Sequence, residues 1–221
     1  MSKVAVVLAG CGVNDGSEIQ EATLTLLYLD QAKAEIHCFA PDKDQVDVIN
    51  HAKGEGSSEK RNVMVESARI SRGEIKPISE LKVDDFDAVV FPGGFGAAKN
   101  LCSFASDGPD CSIDPEVERV VVEANEKKKV IGAICISPVV VARALKDKGV
   151  NPQLTIGTDQ ATSDALAKMN AKPVKAEVHE AVTDEANRIV STPAYMLGPN
   201  ISDVAAGIQK LVNQVISMTG K

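Results

Sequence analysis

Residues 130–138 read Val-Ile-Gly-Ala-Ile-Cys-Ile-Ser-Pro, and this stretch gives the clearest indication of the fold. The uninterrupted apolar run 130–135 is typical of a strand that is buried on both faces of a sheet. Pro138 suits the first position of a helix, because the N–H that proline lacks would have no partner there. The sequence therefore predicts a tight turn from a buried strand into a helix over 139–146, with Cys135 on the turn.

The position of Cys135 on this turn indicates chemistry. The thiol is predicted to face the positive end of a helix, which lowers the pKa of a cysteine and favours the reactive thiolate. A buried cysteine is otherwise often only a small hydrophobic residue. We therefore predict Cys135 as the catalytic nucleophile if other functional turns meet it at the same edge of the sheet.

Three further apolar runs, at 4–9, 36–40 and 88–91, are predicted core strands, and helical patterns separate several of them. Such alternation predicts an α/β fold with a mostly parallel sheet covered by helices on both faces, a three-layer sandwich. A polar stretch from 42 to 82 contains a predicted helix at 62–72 and a turn-rich segment at 51–58 that favours a hairpin. Segments 177–183 and 189–192 predict another hairpin. No linker divides the chain, so we expect one domain, 1–221.

The first helix carries a candidate acid. Ser17 with Gln20 resembles a capping box, and an apolar stripe follows it at Ile19, Ala22, Leu26 and Leu29. Glu18 lies in the first turn, where an acidic residue could simply complement the helix dipole. The carboxyl ends of parallel strands meet at one edge of a sheet, so Glu18 could also reach Cys135. The sequence leaves these two interpretations open.

The run 91–96, Phe-Pro-Gly-Gly-Phe-Gly, follows a third core strand at the same edge. A simple turn does not need three glycines, so we interpret this run as a loop whose backbone N–H groups point at a developing oxyanion.

Other patterns are weaker. Gly10-Cys11-Gly12 fails as a dinucleotide fingerprint, because the next glycine is Gly16 and nearby acids would repel a pyrophosphate. We interpret Cys11 as a spectator and His179 as a surface or core residue rather than a base. Thr158-Asp159 is a weaker orienting pair. We expect the Cys102 and Cys111 pair to be structural or incidental.

Composition narrows the function classes. The net charge of −7 argues against nucleic acid or an anionic membrane as partner. The five cysteines form no CxxC pair and the three histidines are scattered, so we expect free thiols, no structural zinc and no cofactor. No apolar stretch is long enough to span a bilayer. We expect a cytoplasmic protein, or a mitochondrial matrix protein if a transit peptide has been removed.

Several strings together resemble a known family. The chain is similar to the ThiJ/PfpI superfamily of class I glutamine amidotransferase-like proteins, and more specifically to the ElbB-type glyoxalases (enhancing lycopene biosynthesis protein 2) and their mitochondrial eukaryotic relatives. The matching strings cover nearly the whole length; they are residues 9–12, 15–19, 39–42, 61–63, 92–101, 135–138 and 192–196.

The resemblance implies a flavodoxin-like fold with Cys135 as the elbow cysteine and Glu18 as its carboxylic partner. Gly94 of the glycine loop and the amide of Ile136 would form the oxyanion hole, and relatives are commonly homodimers. Two departures matter: Ile136 stands where peptidase-like members have histidine, and the region 192–195 lacks the late His-x-Glu pair of amidotransferases. Amide hydrolysis is therefore disfavoured, because general acid–base assistance is worth about 10²–10⁴-fold.

The resulting hypothesis is a cofactor-free glyoxalase that converts small 2-oxoaldehydes, such as glyoxal or methylglyoxal, into 2-hydroxy acids through a Cys135 hemithioacetal. A cysteine-based redox or stress sensor is one alternative. A non-catalytic, amidotransferase-like partner protein is the other.

Overall fold

The computed structural model describes residues 1–220 and contains one central seven-stranded sheet. The strands are β1 (Lys3–Val7), β2 (Glu35–Ala40), β3 (Ile49–Asn50), β4 (Glu55–Gly56), β5 (Ile75–Pro77), β6 (Ala88–Phe91), β7 (Val130–Ile134), β8 (Gln153–Leu154), β9 (Lys172–Pro173), β10 (Val182–Asp184) and β11 (Ile189–Thr192). The helices are α1 (Ile19–Gln31), α2 (Val63–Ile70), α3 (Phe104–Asp107), α4 (Pro115–Glu126), α5 (Pro138–Leu145), α6 (Gln160–Lys168) and α7 (Ile201–Thr219).

The order of the central sheet is β10-β11-β7-β6-β1-β2-β5, and only the β10–β11 pair is antiparallel. This confirms the predicted mostly parallel α/β fold. The chain runs from β1 outward to β2 and later returns to β6 on the other side of β1. The reversal opens a crevice at the carboxyl ends of these strands, which is where α/β proteins bind ligands.

Helices cover both faces of the sheet. Helices α1 and α7 pack on one face, and α4, α5 and α6 pack on the other. Every residue of β6 and β7 is buried, as their continuous apolar sequences predicted. The strand–turn–helix unit β7–α5 is therefore held rigidly between two hydrophobic layers.

The start of α1 differs from the prediction. Its N-cap is Glu18, whose carboxyl accepts a hydrogen bond from the Glu21 amide at 2.6 Å. The hydroxyl of Ser17 instead accepts from the Ala9 amide at 2.8 Å, which ties the loop to the end of β1. The predicted capping box is therefore wrong, because Ser17 has another partner.

The buried side of α1 also differs from the predicted apolar stripe. Glu21, Ala22, Thr25 and Leu29 are buried, while Ile19 is 47% exposed. The whole helix is turned so that an acid and a threonine face the interior. Packing against the sheet and α7 sets this rotation, which the spacing of apolar residues in the sequence does not predict.

Two further predicted elements are present with shorter bounds, and a third is present only in part. The hairpin expected at 51–58 is the antiparallel pair β3–β4, and the helix expected at 62–72 is α2. Of the strand expected at 177–183, only the end pairs, as the start of β10. Among residues 1–220, no helix combines the length and apolar character that a membrane span requires.

Candidate active site

Cys135 occupies a strained turn between β7 and α5. Its φ is +61°, a left-handed conformation that non-glycine residues rarely adopt and that costs about 1–3 kcal/mol. Its amide donates to the Thr192 carbonyl at 2.9 Å, and the Ser137 hydroxyl donates to the Pro92 carbonyl at 2.7 Å. These bonds hold the turn between neighbouring strand ends, as the residues 130–138 predicted.

The glycine loop after β6 lies directly against Cys135. A Cβ on Gly93 would stand 2.3 Å from the Cβ of Cys135 and 2.5 Å from Oε2 of Glu21. No side chain fits at that point, so glycine is required. The amides of Gly94 and Ile136 lie close enough to the Cys135 sulfur to lower the pKa of its thiol. The predicted oxyanion-hole donors therefore lie beside the sulfur, while their catalytic role stays a prediction.

The carboxyl beside the sulfur belongs to Glu21, a residue that the sequence analysis missed. Glu21 is fully buried, and its two oxygens accept hydrogen bonds from the amides of Gly93 and Tyr195, each at 3.1 Å. Its Oε2 atom and the Cβ of Cys135 both lie within 2.5 Å of the point where a Cβ on Gly93 would stand, so the carboxyl lies against the cysteine. Tyr195 follows Ala194, whose positive φ of 44° turns the backbone toward Glu21.

The expected pairing of Cys135 with Glu18 is corrected by this geometry. Glu18 caps α1 and lines the cleft, but the carboxyl that lies against Cys135 is that of Glu21, three residues later on the same helix. A signal for Glu21 was present: it lies next to Ala22 and one turn before Thr25 on the side that faces the core. Acidic side chains are almost never fully buried unless they are paired with another group.

Burial raises the pKa of Glu21 to about 8, and the neighbouring Glu18 charge acts in the same direction. The Tyr195 amide, the neighbouring Cys135 thiol and the Gly93 amide lower the pKa but only partly offset burial. Glu21 therefore carries a proton at neutral pH. Burial also raises the pKa of Glu18, against hydrogen bonds from the backbone amides at the start of α1.

The expected low pKa of Cys135 is wrong. Burial, followed by the Glu21 carboxyl, raises the pKa of this thiol well above its usual range, although the amides of Gly94 and Ile136 lower it. The helix-start argument identified the donors correctly but ignored the loss of water around a buried sulfur. Burial thus favours the neutral form of both side chains, so the thiol must lose its proton when the sulfur reacts.

An open cleft of about 500 Å³ leads to the sulfur. Its walls are largely apolar, and they include Val13, Phe95, Ala98, Phe104, Ile136 and Met196. Two acids, Glu18 and Asp159, also line it, and none of the lining residues is Lys, Arg or His. Such a cleft suits a neutral or cationic compound and disfavours an anion.

The weaker candidates lie apart from this chemistry, with one exception. His179 is exposed and does not line the cleft. Asp159 does line the cleft, where it caps α6 through a 2.8 Å hydrogen bond from the Thr162 amide. The Thr162 hydroxyl, followed by the Thr162 amide, lowers the pKa of Asp159, so the residue is charged at neutral pH. The loop at Gly10–Gly12 contacts α2, where the Gly10 amide donates to the Ser67 hydroxyl at 2.8 Å.

Metal ligands are not clustered. Within the described part of the chain, no group of three or more His, Cys, Asp or Glu side chains is arranged to hold an ion.

The chain matches known proteins over its whole length. Residues 3–193 match the family model described as the DJ-1/PfpI family. The chain is 46% identical to the rat (Rattus norvegicus) "ES1 protein homolog, mitochondrial", and 45% identical to the human (Homo sapiens) "Glutamine amidotransferase-like class 1 domain-containing protein 3, mitochondrial". These alignments cover 100% of this chain and 85% and 84% of the two relatives.

A solved structure is similarly close. An isoprenoid biosynthesis protein with an amidotransferase-like domain from Ehrlichia chaffeensis superposes with a TM-score of 0.93 at 42% identity, covering 99% of each chain. These matches confirm the resemblance stated from the sequence strings and the flavodoxin-like, amidotransferase-like fold that it implied.

Proposed function

Because the chain belongs to the DJ-1/PfpI family, we propose that its cleft is the active site of a cofactor-free glyoxalase acting on small 2-oxoaldehydes. The relatives' names state no activity, so the proposal depends on the site itself. One observation carries it: Cys135, which lines the cleft, lies against the fully buried carboxyl of Glu21.

The first step is addition of sulfur to the aldehyde. When the Cys135–Glu21 pair holds one proton, that proton is on the sulfur, whose pKa is the higher of the two. As the sulfur forms a C–S bond with the aldehyde carbon, the Glu21 carboxylate accepts the thiol proton and passes it to the carbonyl oxygen. The amides of Gly94 and Ile136 stabilise negative charge that develops near the sulfur. The products are a neutral hemithioacetal and the Glu21 carboxylate.

The second step is an internal transfer of hydrogen. The Glu21 carboxylate removes the proton from the former aldehyde carbon, giving an enediolate, and returns it to the neighbouring carbon, while the hydroxyl proton moves from the first oxygen to the second. The result is a thioester of the 2-hydroxy acid, which water cleaves to release the acid and restore the thiol. A base with a pKa near 8 suits this task at neutral pH far better than an ordinary carboxylate does.

A nucleophile substitution tests the proposal. Cys135→Ser should lower glutathione-independent lactate formation from methylglyoxal by at least about a thousandfold, since the attacking atom is lost. Cys11→Ser is the matched control, because Cys11 is a half-buried thiol that does not line the cleft. Wild-type lactate formation by Cys135→Ser would contradict the mechanism.

A sensor function at Cys135 is less well supported by the same geometry. Peroxides react with the thiolate, and a raised pKa keeps this thiol protonated at neutral pH. The non-catalytic alternative would be supported by a stoichiometric partner that co-purifies with a protein lacking aldehyde turnover.

Location and assembly belong to the same proposal. The rat and human relatives carry "mitochondrial" in their names, which supports a mitochondrial location and lends no support to a cytoplasmic one. The homodimer expected from the resemblance stays a prediction, and light scattering of the purified chain tests it.

A further inference from the structure

Two thiols outside the cleft lie together at the base of one loop. Cys102 forms an isolated antiparallel bridge with Ile113, and the Ser103 amide donates to the Ser112 carbonyl at 3.0 Å. This register places Cys111 diagonally across from Cys102 on the same side of the ladder. Both side chains are buried, at 4% and 1% exposure, and the Cys102 thiol donates a hydrogen bond to the Ala97 carbonyl at 3.5 Å.

The two thiols are chemically unequal. The neighbouring Cys102 thiol and the charge of Arg143 lower the pKa of Cys111, against burial and the charge of Asp107. Arg143 also donates to the Cys111 carbonyl at 2.5 Å, which holds the guanidinium in place. The neighbouring Cys111, followed by burial, raises the pKa of Cys102 far above its usual range. The charge of Arg143 therefore favours Cys111 as the sulfur that reacts first.

The loop at 103–110, which connects the two cysteines, has few buried side chains. Residues 103–110 form two short helical turns, and neither α3 nor the turn Gly108–Asp110 buries a side chain. A segment with so few buried contacts opens at low free-energy cost, which would admit a small oxidant to the sulfur atoms.

We propose that Cys102 and Cys111 form a redox-active dithiol that a peroxide converts to an intramolecular disulfide. The Cys111 thiolate attacks one peroxide oxygen, the O–O bond breaks, hydroxide leaves and Cys111 becomes a sulfenic acid. The Cys102 sulfur then bonds to the Cys111 sulfur; the hydroxyl leaves with the Cys102 proton as water. Two thiols and one hydrogen peroxide thus give one disulfide and two waters. This site is separate from the glyoxalase proposal, because neither sulfur lines the cleft.

The sequence offers a direct test in the unmodified chain. Cleavage after Lys99 and Arg119 releases a peptide that contains both cysteines and no others. After mild peroxide treatment and thiol alkylation, this peptide should lose both alkyl groups and weigh two hydrogen atoms less than the fully reduced form. Cys38 is the internal control. Burial raises the pKa of its thiol to about 11, so this thiol should be alkylated only after the chain is unfolded.

Two single substitutions test whether both sulfur atoms take part in disulfide formation. In Cys102→Ser, peroxide should stop at a sulfenic acid on Cys111 that dimedone traps, and in Cys111→Ser the remaining Cys102 should stay unoxidised. The proposal is overturned if the wild-type peptide keeps two free thiols at a peroxide dose that oxidises glutathione in the same tube. It is also overturned if either cysteine bonds instead to another cysteine of the chain.

Discussion

Glu21 is an acid at a position where α1 faces the interior, and it has hydrogen-bond donors around it but no cation. The Gly93 and Tyr195 amides satisfy its oxygens, so the side chain can be buried in either protonation state. Without a positive partner, burial decides the protonation state, and the pKa moves to about 8. The residue thus becomes a proton carrier suited to neutral pH.

The Glu21→Gln variant should report this shift as a pH-dependent stability. A carboxyl whose pKa rises from 4.5 to about 8 on folding binds more protons in the folded state between those values. The free energy of unfolding of the wild type should therefore fall as pH rises through this window, by at most about 1.4 kcal/mol per pH unit, and Gln should remove that slope. Urea denaturation from pH 5 to 8 measures the difference between the two proteins.

The exposed Glu74→Gln provides the matched control, and its stability should run parallel to that of the wild type across the pH range. Glu21→Gln should also lower lactate formation by about 10²–10⁴-fold, the usual value of a general acid–base group. Parallel stability curves for Glu21→Gln and wild type would mean that Glu21 is not protonated on folding.

At the scale of elements, two turns interlock at the site. The turn after β6 provides Gly93 and Gly94, and the turn after β7 provides Cys135 and Ile136. The parallel pairing of β6 with β7 brings these turns side by side. The missing side chain of Gly93 is what allows Cys135 and Glu21 to approach each other.

Gly93→Ala tests this interlock. The added methyl group would stand 2.3 Å from the Cys135 Cβ and 2.9 Å from the Ile134 carbonyl oxygen, so the turns must separate. We expect a loss of about 1–3 kcal/mol in unfolding free energy, the usual cost of overpacking, together with loss of lactate formation. Gly56→Ala is the control, because no atom lies within 4 Å of the Cβ that it would add. Equal urea midpoints for the two variants would rule out the steric argument.

At the scale of the whole molecule, the strand order places three loops around one crevice. The loops after β1, β6 and β7 supply the wall, the amides and the sulfur, while α6 adds Asp159 from the other side. The resulting cleft has apolar walls and two acids. Its charge should select among reagents that reach Cys135, whatever reaction the protein performs.

Alkylation of Cys135 measures that selectivity without assuming catalysis. Iodoacetate should react more slowly than iodoacetamide, relative to the same pair with free cysteine. Asp159→Asn should narrow the difference by about two- to fivefold, in line with the small energies of exposed charge pairs. Asn still caps a helix well, so Asp159→Asn should leave α6 intact. The control is Asp164→Asn, which makes the same change of charge on the exposed part of α6, outside the cleft. Peptide mass spectrometry gives the rates, and equal ratios for both variants would contradict a role for the cleft charge.

The strand–turn–helix unit around Cys135, the glycine loop and the parallel sheet could be predicted from the sequence, because continuous apolar runs, proline and glycine act over a few residues. The identity of the acid beside the sulfur depends on tertiary packing. Glu18 and Glu21 are one helical turn apart, and the rotation of α1 depends on its packing against the sheet and α7. The protonation state was also decided at that level, because burial in the assembled fold outweighed the helix-start effect on Cys135.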